Sequence, residues 1–174
     1  MVHSVELLFD DETDAAIRRV WDDLSDVGVR SLAASTSPSN RPHVTLSVAE
    51  HIDDAVHDAL RPLLGMLPLP CTIGAPMLFG RGPFTLVRLL IPSVELLALQ
   101  AEVHTACLPH MSPGPLPHAD PGRWTPHVTM ARRVAPEKLA DALTLRRMSR
   151  DRTGTAVAIR HWDGNNRVEH PISL

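Results

Sequence analysis

The sequence predicts an α+β domain built from a duplicated unit, and three observations indicate it. The phrase Pro42-His43-Val44-Thr45-Leu46 returns 84 residues later as Pro126-His127-Val128-Thr129-Met130. Some segments alternate apolar and polar residues as strands do, and others have the apolar period of helices. When the first half of the chain is shifted by 84 residues, each element predicted there lies on an element of the same type.

The first half of the chain is predicted to form three strands and two helices. A strand ends at the acidic turn Asp10-Asp11, where either aspartate caps a helix whose apolar residues form one stripe. Gly28 suits the left-handed residue that ends this helix. The predicted ranges are 2–9 (strand), 12–27 (helix), 43–48 (strand), 52–64 (helix) and 69–79 (strand).

The second half repeats this order after the turn Gly80-Arg81-Gly82-Pro83. Ser93 caps one helix, and Pro136 opens the other at its favoured first position. The segment 109–122, rich in proline and glycine, is predicted to be a loop. The predicted strands cover 84–91, 127–133, 153–162 and 167–172, and the last two form a hairpin.

A chain of 174 residues with 44% apolar residues suits one domain. We expect residues 1–174 to form two pseudo-symmetric lobes, roughly 1–83 and 84–174, which can exchange their terminal strands. Two β-α-β-α-β units related by a pseudo-two-fold axis should place their two motif strands next to each other. His43 and His127 would then face one cleft.

Charge and cysteine content restrict the partners. Residues 1–60 carry a net charge of −8 and residues 61–174 a net charge of +5, which favours a small nucleotide or an RNA end over a long duplex. No apolar run reaches membrane-spanning length, and the N-terminus does not resemble a secretory signal. Cys71 and Cys107 suit free thiols in a reducing compartment. We therefore expect a cytoplasmic monomer without membrane contact.

The repeated phrase offers the groups that proton transfer requires. Because alternate side chains of a strand share a face, His43 lies beside Thr45, and His127 lies beside Thr129. One neutral imidazole can take a proton from water while a charged one gives a proton to a leaving alkoxide. Hydroxyls can hold phosphate oxygens where charge develops. A single copy is typical of a structural histidine, but the recurrence favours a shared catalytic site for phosphodiester hydrolysis.

The segments His43-Val44-Thr45-Leu46 and His127-Val128-Thr129-Met130 resemble the paired motifs of the 2H phosphoesterase superfamily, which includes the bacterial 2′-5′ RNA ligase-like proteins. The resemblance implies a bilobal fold whose concave antiparallel sheets line a central groove. It implies metal-independent chemistry: 2′,3′-cyclic phosphodiesterase, 2′,5′-phosphodiesterase, or reversible 2′-5′ ligation of RNA ends. It makes His43, Thr45, His127 and Thr129 catalytic, with His43 the acid and His127 the base, although pseudo-symmetry lets these roles exchange.

Four further residues are candidate substrate contacts. Arg132 matches an arginine often found after the second motif, but strict alternation turns it away from His127 unless the strand contains a bulge. Arg81, Phe84 and Trp124 are the others. Phe79 and Phe9 are further candidates as platforms for a base, although each aromatic is more typical of the core. Ser47-Val48-Ala49-Glu50 stands where many RNA-end members carry an aromatic residue and a glycine, so the substrate stays open.

Two alternatives remain open. The same fold could serve as a non-catalytic RNA- or nucleotide-binding module, or the two motif histidines could hold a metal in a hydrolase. We expect neither metal nor cofactor, because His104 and His110 beside Cys107 have no carboxylate to complete a set. His51 and His57 do not share a helix face, and His161 and His170 are predicted to be surface or packing residues.

Overall fold

The computed structural model describes residues 2–174, which form eight strands and five α-helices. The strands are β1 (His3–Phe9), β2 (His43–Ile52), β3 (Leu69–Phe79), β4 (Phe84–Leu90), β5 (Met111–Pro115), β6 (His127–Val134), β7 (Arg152–Asp163) and β8 (Val168–Pro171). The helices are α1 (Asp11–Asp26), α2 (Val56–Leu60), α3 (Val94–Cys107), α4 (Leu139–Leu143) and α5 (Arg146–Ser149). No helix within this range is long and apolar enough to cross a membrane.

The strands form one antiparallel sheet in the order β5-β2-β1-β7-β3-β4-β6, and β8 pairs with the free part of β7. Leaving β5 aside, this order reads the same from both ends if β1 is matched with β4, β2 with β6, and β3 with β7. The 84-residue shift makes the same matches. The α+β class and the antiparallel architecture are confirmed, and the division into lobes at residue 83 stays a prediction.

The two motif strands are not neighbours in the sheet, so this expectation was wrong. Strands β2 and β6 lie near opposite ends of the strand order because β3 and β7 pair with each other at its centre. Residues of β2 and β6 nevertheless approach within 8 Å between Cα atoms. The sheet therefore curves enough to bring its two ends together.

Helix α1 shows why the local sequence forms this element. The Asp10 side chain accepts a hydrogen bond of 2.9 Å from the backbone N–H of Thr13 and so caps the first turn. Acidic residues in that turn favour the positive end of the helix dipole. Gly28 follows the helix with a φ of 79°, which a residue without Cβ adopts at little cost. The buried stripe of α1, which includes Ile17 and Trp21, faces the sheet.

Three predicted boundaries differ from the structure. The second helix begins at Val56 rather than at 52, because Ile52 completes β2. Past Leu60 the chain continues as a 3₁₀ helix over Arg61–Met66, with Pro62 in its first turn. The helix predicted to open at Pro136 starts as a 3₁₀ turn before α4, and α5 was not predicted.

The segment 109–122 is not only a loop, because it contains strand β5. This strand pairs with β2 at the edge of the sheet. Its two prolines, Pro113 and Pro115, hid it from the sequence argument, since proline normally breaks a strand. An edge strand tolerates proline because one of its sides forms no ladder.

The two faces of the sheet have different roles. In β1, Val5 and Leu7 belong to the core beneath α1, whereas Ser4 and Glu6 point to the other face. The motif residues predicted to be apolar core are fully buried: Val44, Leu46, Val128 and Met130. The polar face of the sheet is therefore left to line a cavity between β2 and β6.

Candidate active site

A cavity of about 930 Å³ lies on this polar face of the sheet and brings both motif histidines together. Six candidate residues named from the sequence line it: His43, Thr45, Phe79, Trp124, His127 and Arg132. Its volume is in the range of small-molecule and cofactor sites. The duplicated motif has thus produced one shared site.

The two imidazoles are held in the same way. Nδ1 of His43 donates a hydrogen bond of 2.7 Å to the carbonyl of Arg41, and Nδ1 of His127 donates one of 2.7 Å to the carbonyl of Thr125. The two carbonyls are also 84 residues apart. Because a carbonyl only accepts, the proton of each neutral ring resides on Nδ1. In both histidines Nε2 is the nitrogen left for proton transfer.

Each motif strand contains a bulge at the hydrophobic residue after the threonine. Leu46 in β2 and Met130 in β6 each lie between two paired residues without a partner of their own. The flanking pairs are Thr45–Glu6 and Ser47–Val5 in β2, and Thr129–Val87 and Ala131–Leu86 in β6. A bulge changes the alternation of the strand, so Arg132 lies on the same side as His127 and lines the cavity.

A tryptophan anchors each motif strand. The indole N–H of Trp124 donates to the carbonyl of Thr45 at 2.8 Å, and that of Trp21 donates to the carbonyl of Thr129 at 3.2 Å. Trp124 also borders the cavity, whereas Trp21 is buried in the core. The two hydrogen bonds fix the backbone beside each histidine.

The surroundings of His43 contain a buried carboxylate. Oε1 of Glu6 lies 3.6 Å from Nε2 of His43, and the Glu6 residue is only 3% exposed. Glu6 also accepts from Ser4 at 2.6 Å and pairs with Arg160 at 2.8 Å. Burial would raise the pKa of Glu6, but the charges of His43 and Arg160 hold it below its usual value. Protonated His43 therefore has an ionised partner.

The surroundings of His127 favour the neutral ring. The imidazole packs edge-on against Phe79, with 4.8 Å between ring centroids. Burial lowers the pKa of His127, and the positive charges of His43, His118 and Arg132 lower it further against the opposing bond to Thr125. His127 is therefore suited to accept a proton at neutral pH.

The cavity is rich in arginine. The Arg160 charge is matched by Glu6 and by Glu169, whose carboxylate is 2.6 Å away. Within residues 2–174 the remaining arginines of the cavity form no ion pair. These are Arg41, Arg123, Arg132 and Arg167. Their guanidinium groups offer forked donors suited to phosphate oxygens.

Three other predicted residues do not line the cavity, whereas Phe79 does. Thr129 is half-buried on β6 but does not line the cavity, Arg81 is exposed in the turn after β3, and Phe84 begins β4 outside the cavity. Phe79, predicted to be more typical of the core, is 37% exposed and contacts His127. Glu6 was not predicted from the sequence, where its available signal was the single carboxylate of a mostly apolar strand.

The chain is similar to known proteins both in its sequence and in its fold. A family profile described as the 2′-5′ RNA ligase superfamily matches residues 9–165. No curated protein sequence matched significantly.

Solved structures share the fold over almost the full length. The TT0787 protein of Thermus thermophilus has a TM-score of 0.61 and 14% identity, with 99% of this chain and 96% of that chain covered. Usb1 of Kluyveromyces marxianus, solved with uridine monophosphate, has a TM-score of 0.57 and 12% identity, covering 99% and 98%. A protein described as a phosphoesterase has a TM-score of 0.52 and 14% identity, covering 99% and 94%.

Proposed function

Because the chain belongs to the 2′-5′ RNA ligase superfamily, we propose that it is a metal-independent phosphodiesterase acting on a 2′,3′-cyclic phosphate or a related nucleotide or RNA-end ester. Reversible 2′-5′ ligation of RNA ends is a related activity of the same site. The single observation that carries this proposal is the pair of imidazoles, each held through Nδ1 by a carbonyl, at one cavity.

The different surroundings of the two histidines support different roles. His127, whose pKa is lowered, is the base: its Nε2 takes a proton from water as the water oxygen attacks phosphorus. His43, paired with Glu6 when charged, is the acid: its Nε2 gives a proton to the ribose oxygen as the bond from phosphorus to that oxygen breaks. One water is consumed, a phosphomonoester forms, and a proton exchange through solvent restores both rings.

Positive and hydroxyl donors complete the proposed site. Thr45 and Arg132 line the cavity and can hold the non-bridging phosphate oxygens as negative charge develops. Thr129 follows His127 by two residues and so shares its face of β6, and it is proposed to reach the phosphate from the edge of the cavity. Trp124 offers the face of its ring to a base, while its N–H remains bonded to Thr45.

The proposed partner is a nucleotide or an RNA end, not a long duplex. The cavity has room for a few nucleotides, and its unpaired arginines suit a terminal phosphate. We also propose that the protein is a monomer. We infer that it acts in the cytoplasm, since Cys71 and Cys107 are free, buried thiols.

A substrate panel in the presence of EDTA tests the activity. It contains 2′,3′-cyclic mononucleotides, 2′,5′-linked oligonucleotides and RNAs with cyclic phosphate ends, with uridine compounds first, because Usb1 was solved with uridine monophosphate. We expect turnover by the wild type and its loss in His43→Ala and in His127→Ala. His110→Ala, a histidine outside the cavity, is the matched control and should turn over normally.

Two other outcomes would replace the proposal. Binding of these compounds without turnover of any of them would identify a nucleotide-binding module. Activity that EDTA abolishes and Zn²⁺ restores in the wild type, together with loss of Zn²⁺ binding in the His43→Ala/His127→Ala double variant, would identify a two-histidine metallohydrolase.

A further inference from the structure

Five of the ten histidines converge on the face of the sheet opposite the cavity. On β7, Arg160 and Trp162 line the cavity, so His161 between them points to the other face. The other members of this histidine cluster are His3, His51, His57 and His170. The proposed phosphodiesterase activity uses none of them.

We propose that Asp54, His57 and His161 form a binding site for a divalent transition metal of the Zn²⁺ class. Nε2 of His57 lies 3.0 Å from Nδ1 of His161. Oδ1 of Asp54 lies 4.0 Å from the His57 nitrogen and 3.8 Å from the His161 nitrogen. The three side chains come from the turn before α2, from α2 itself and from β7, so the fold assembles the site.

The spacing of these three atoms suits a first-row metal. The point equidistant from them lies about 2.1 Å from each, which is the usual length of Zn–N and Zn–O bonds. Two imidazoles and one carboxylate are ligands for zinc and its neighbours, whereas Mg²⁺ and Ca²⁺ favour sets made of oxygen alone. Either a water or His170 completes the coordination. The ring centroid of His170 is 5.3 Å from that of His57.

The hydrogen bonds of the histidine cluster leave a lone pair on Nδ1 of His161, directed at the proposed metal position. The Asp163 carboxylate lies 3.2 Å from Nε2 of His3 and can only accept, so the His3 proton resides on Nε2. Nδ1 of His3 is then an acceptor for Nε2–H of His161, 3.0 Å away. This leaves Nδ1 of His161 unprotonated and directed at His57. The hydrogen-bonded series from His161 to His3 and on to Asp163 is the outer-shell support that metal-bound histidines commonly have.

The central histidine is enclosed by the fold. His161 is 0% exposed, and its Nδ1 is directed at His57. A bound metal would join α2 to β7 and, through His3, to β1. Because it lies across the sheet from His43 and His127, it would stabilise the fold without taking part in turnover.

Competition for Zn²⁺ with a chromophoric chelator tests the proposal on the full chain. We expect about one equivalent of tight binding by the wild type. Asp54→Ala and His57→Ala should weaken it at least about tenfold, as loss of a ligand does. Asp54 is 74% exposed, so its removal leaves the folded chain intact. Asp58→Ala is the matched control: Asp58 is 79% exposed and near Asp54, but it pairs with Arg61, and its removal should leave affinity unchanged.

Thermal unfolding and a variant that lacks both histidines of the cavity motifs complete the test. Zn²⁺, but not Mg²⁺, should raise the Tm of the wild type and of Asp58→Ala, and the same Zn²⁺ concentration should raise the Tm of Asp54→Ala by clearly less. The double variant His43→Ala/His127→Ala should bind Zn²⁺ as the wild type does. Equal binding by wild type and Asp54→Ala, or loss of binding only in the double variant, would overturn the site.

Discussion

The His43 and His127 halves of the cleft share one backbone and differ in what surrounds it. Both histidines donate from Nδ1 to the carbonyl two residues earlier, and both strands bulge at the hydrophobic residue after the threonine. Glu6 with its partner Arg160 adjoins His43, whereas Phe79 packs on His127. The shared part positions two equivalent nitrogens, and the unshared part is the basis for proposing His43 as the acid and His127 as the base.

The largest expected effect comes from removing either imidazole. His43→Ala and His127→Ala should each reduce kcat by about 10²–10⁴-fold, the usual contribution of general acid–base catalysis. The residual pH profiles separate the two halves: His127→Ala should lose the acidic limb and His43→Ala the basic limb. Steady-state kinetics across pH on the best panel substrate measures both. The opposite assignment of limbs would exchange the proposed roles.

Replacing Glu6, the carboxylate beside His43, should have the next largest effect, which is on the free energy of unfolding. Glu6→Gln leaves buried Arg160 with only Glu169 as its ionised partner, and breaking a buried pair costs about 3 kcal/mol of the free energy of unfolding. Denaturant unfolding at neutral pH measures this loss. Glu169→Gln, at the more exposed partner, should cost about 1 kcal/mol. Equal losses would show that Glu6 is no more important than the outer carboxylate.

The role proposed for His127 can be tested through the pH dependence of kcat/KM. Since His127 must be neutral to act as base and its pKa is lowered, the acidic limb of kcat/KM should lie below the ordinary histidine value of 6.5. Arg132→Gln removes one charge that lowers this pKa, so the limb should move to higher pH. Arg133→Gln is the adjacent control and should leave the limb in place. A shift toward lower pH in Arg132→Gln would contradict the electrostatic argument.

The smallest expected effect concerns the two tryptophan anchors. Trp124→Phe removes the hydrogen bond to the Thr45 carbonyl and should cost about 1 kcal/mol of the free energy of unfolding. Trp21→Phe removes the equivalent bond to Thr129 and also leaves space in the core, so it should cost more. Chemical denaturation of both variants tests the order. A larger loss in Trp124→Phe would show that the cavity side is the more tightly packed.

Much of the fold and part of the site followed from local patterns. Strand and helix periods predicted β1, β3, β4 and α3 closely, because such periods report the face that each element buries. The repeated phrase predicted two of the three histidines that line the cavity, His43 and His127, since equal positions in a duplicated unit have equal backbones. Strand β5 was missed because its prolines are tolerated only at an edge, and edges are set by the whole sheet.

The sequence by itself determined the duplication, the types of most elements and the motif residues, because these depend on spacing along the chain. The tertiary structure decided what stands beside them. Glu6 meets Arg160 across 154 residues, and His3 meets His161 across 158, because β1 and β7 pair in the sheet. Local periodicity does not encode strand order, so neither the partner of His43 nor the histidine cluster could be predicted before the sheet was assembled.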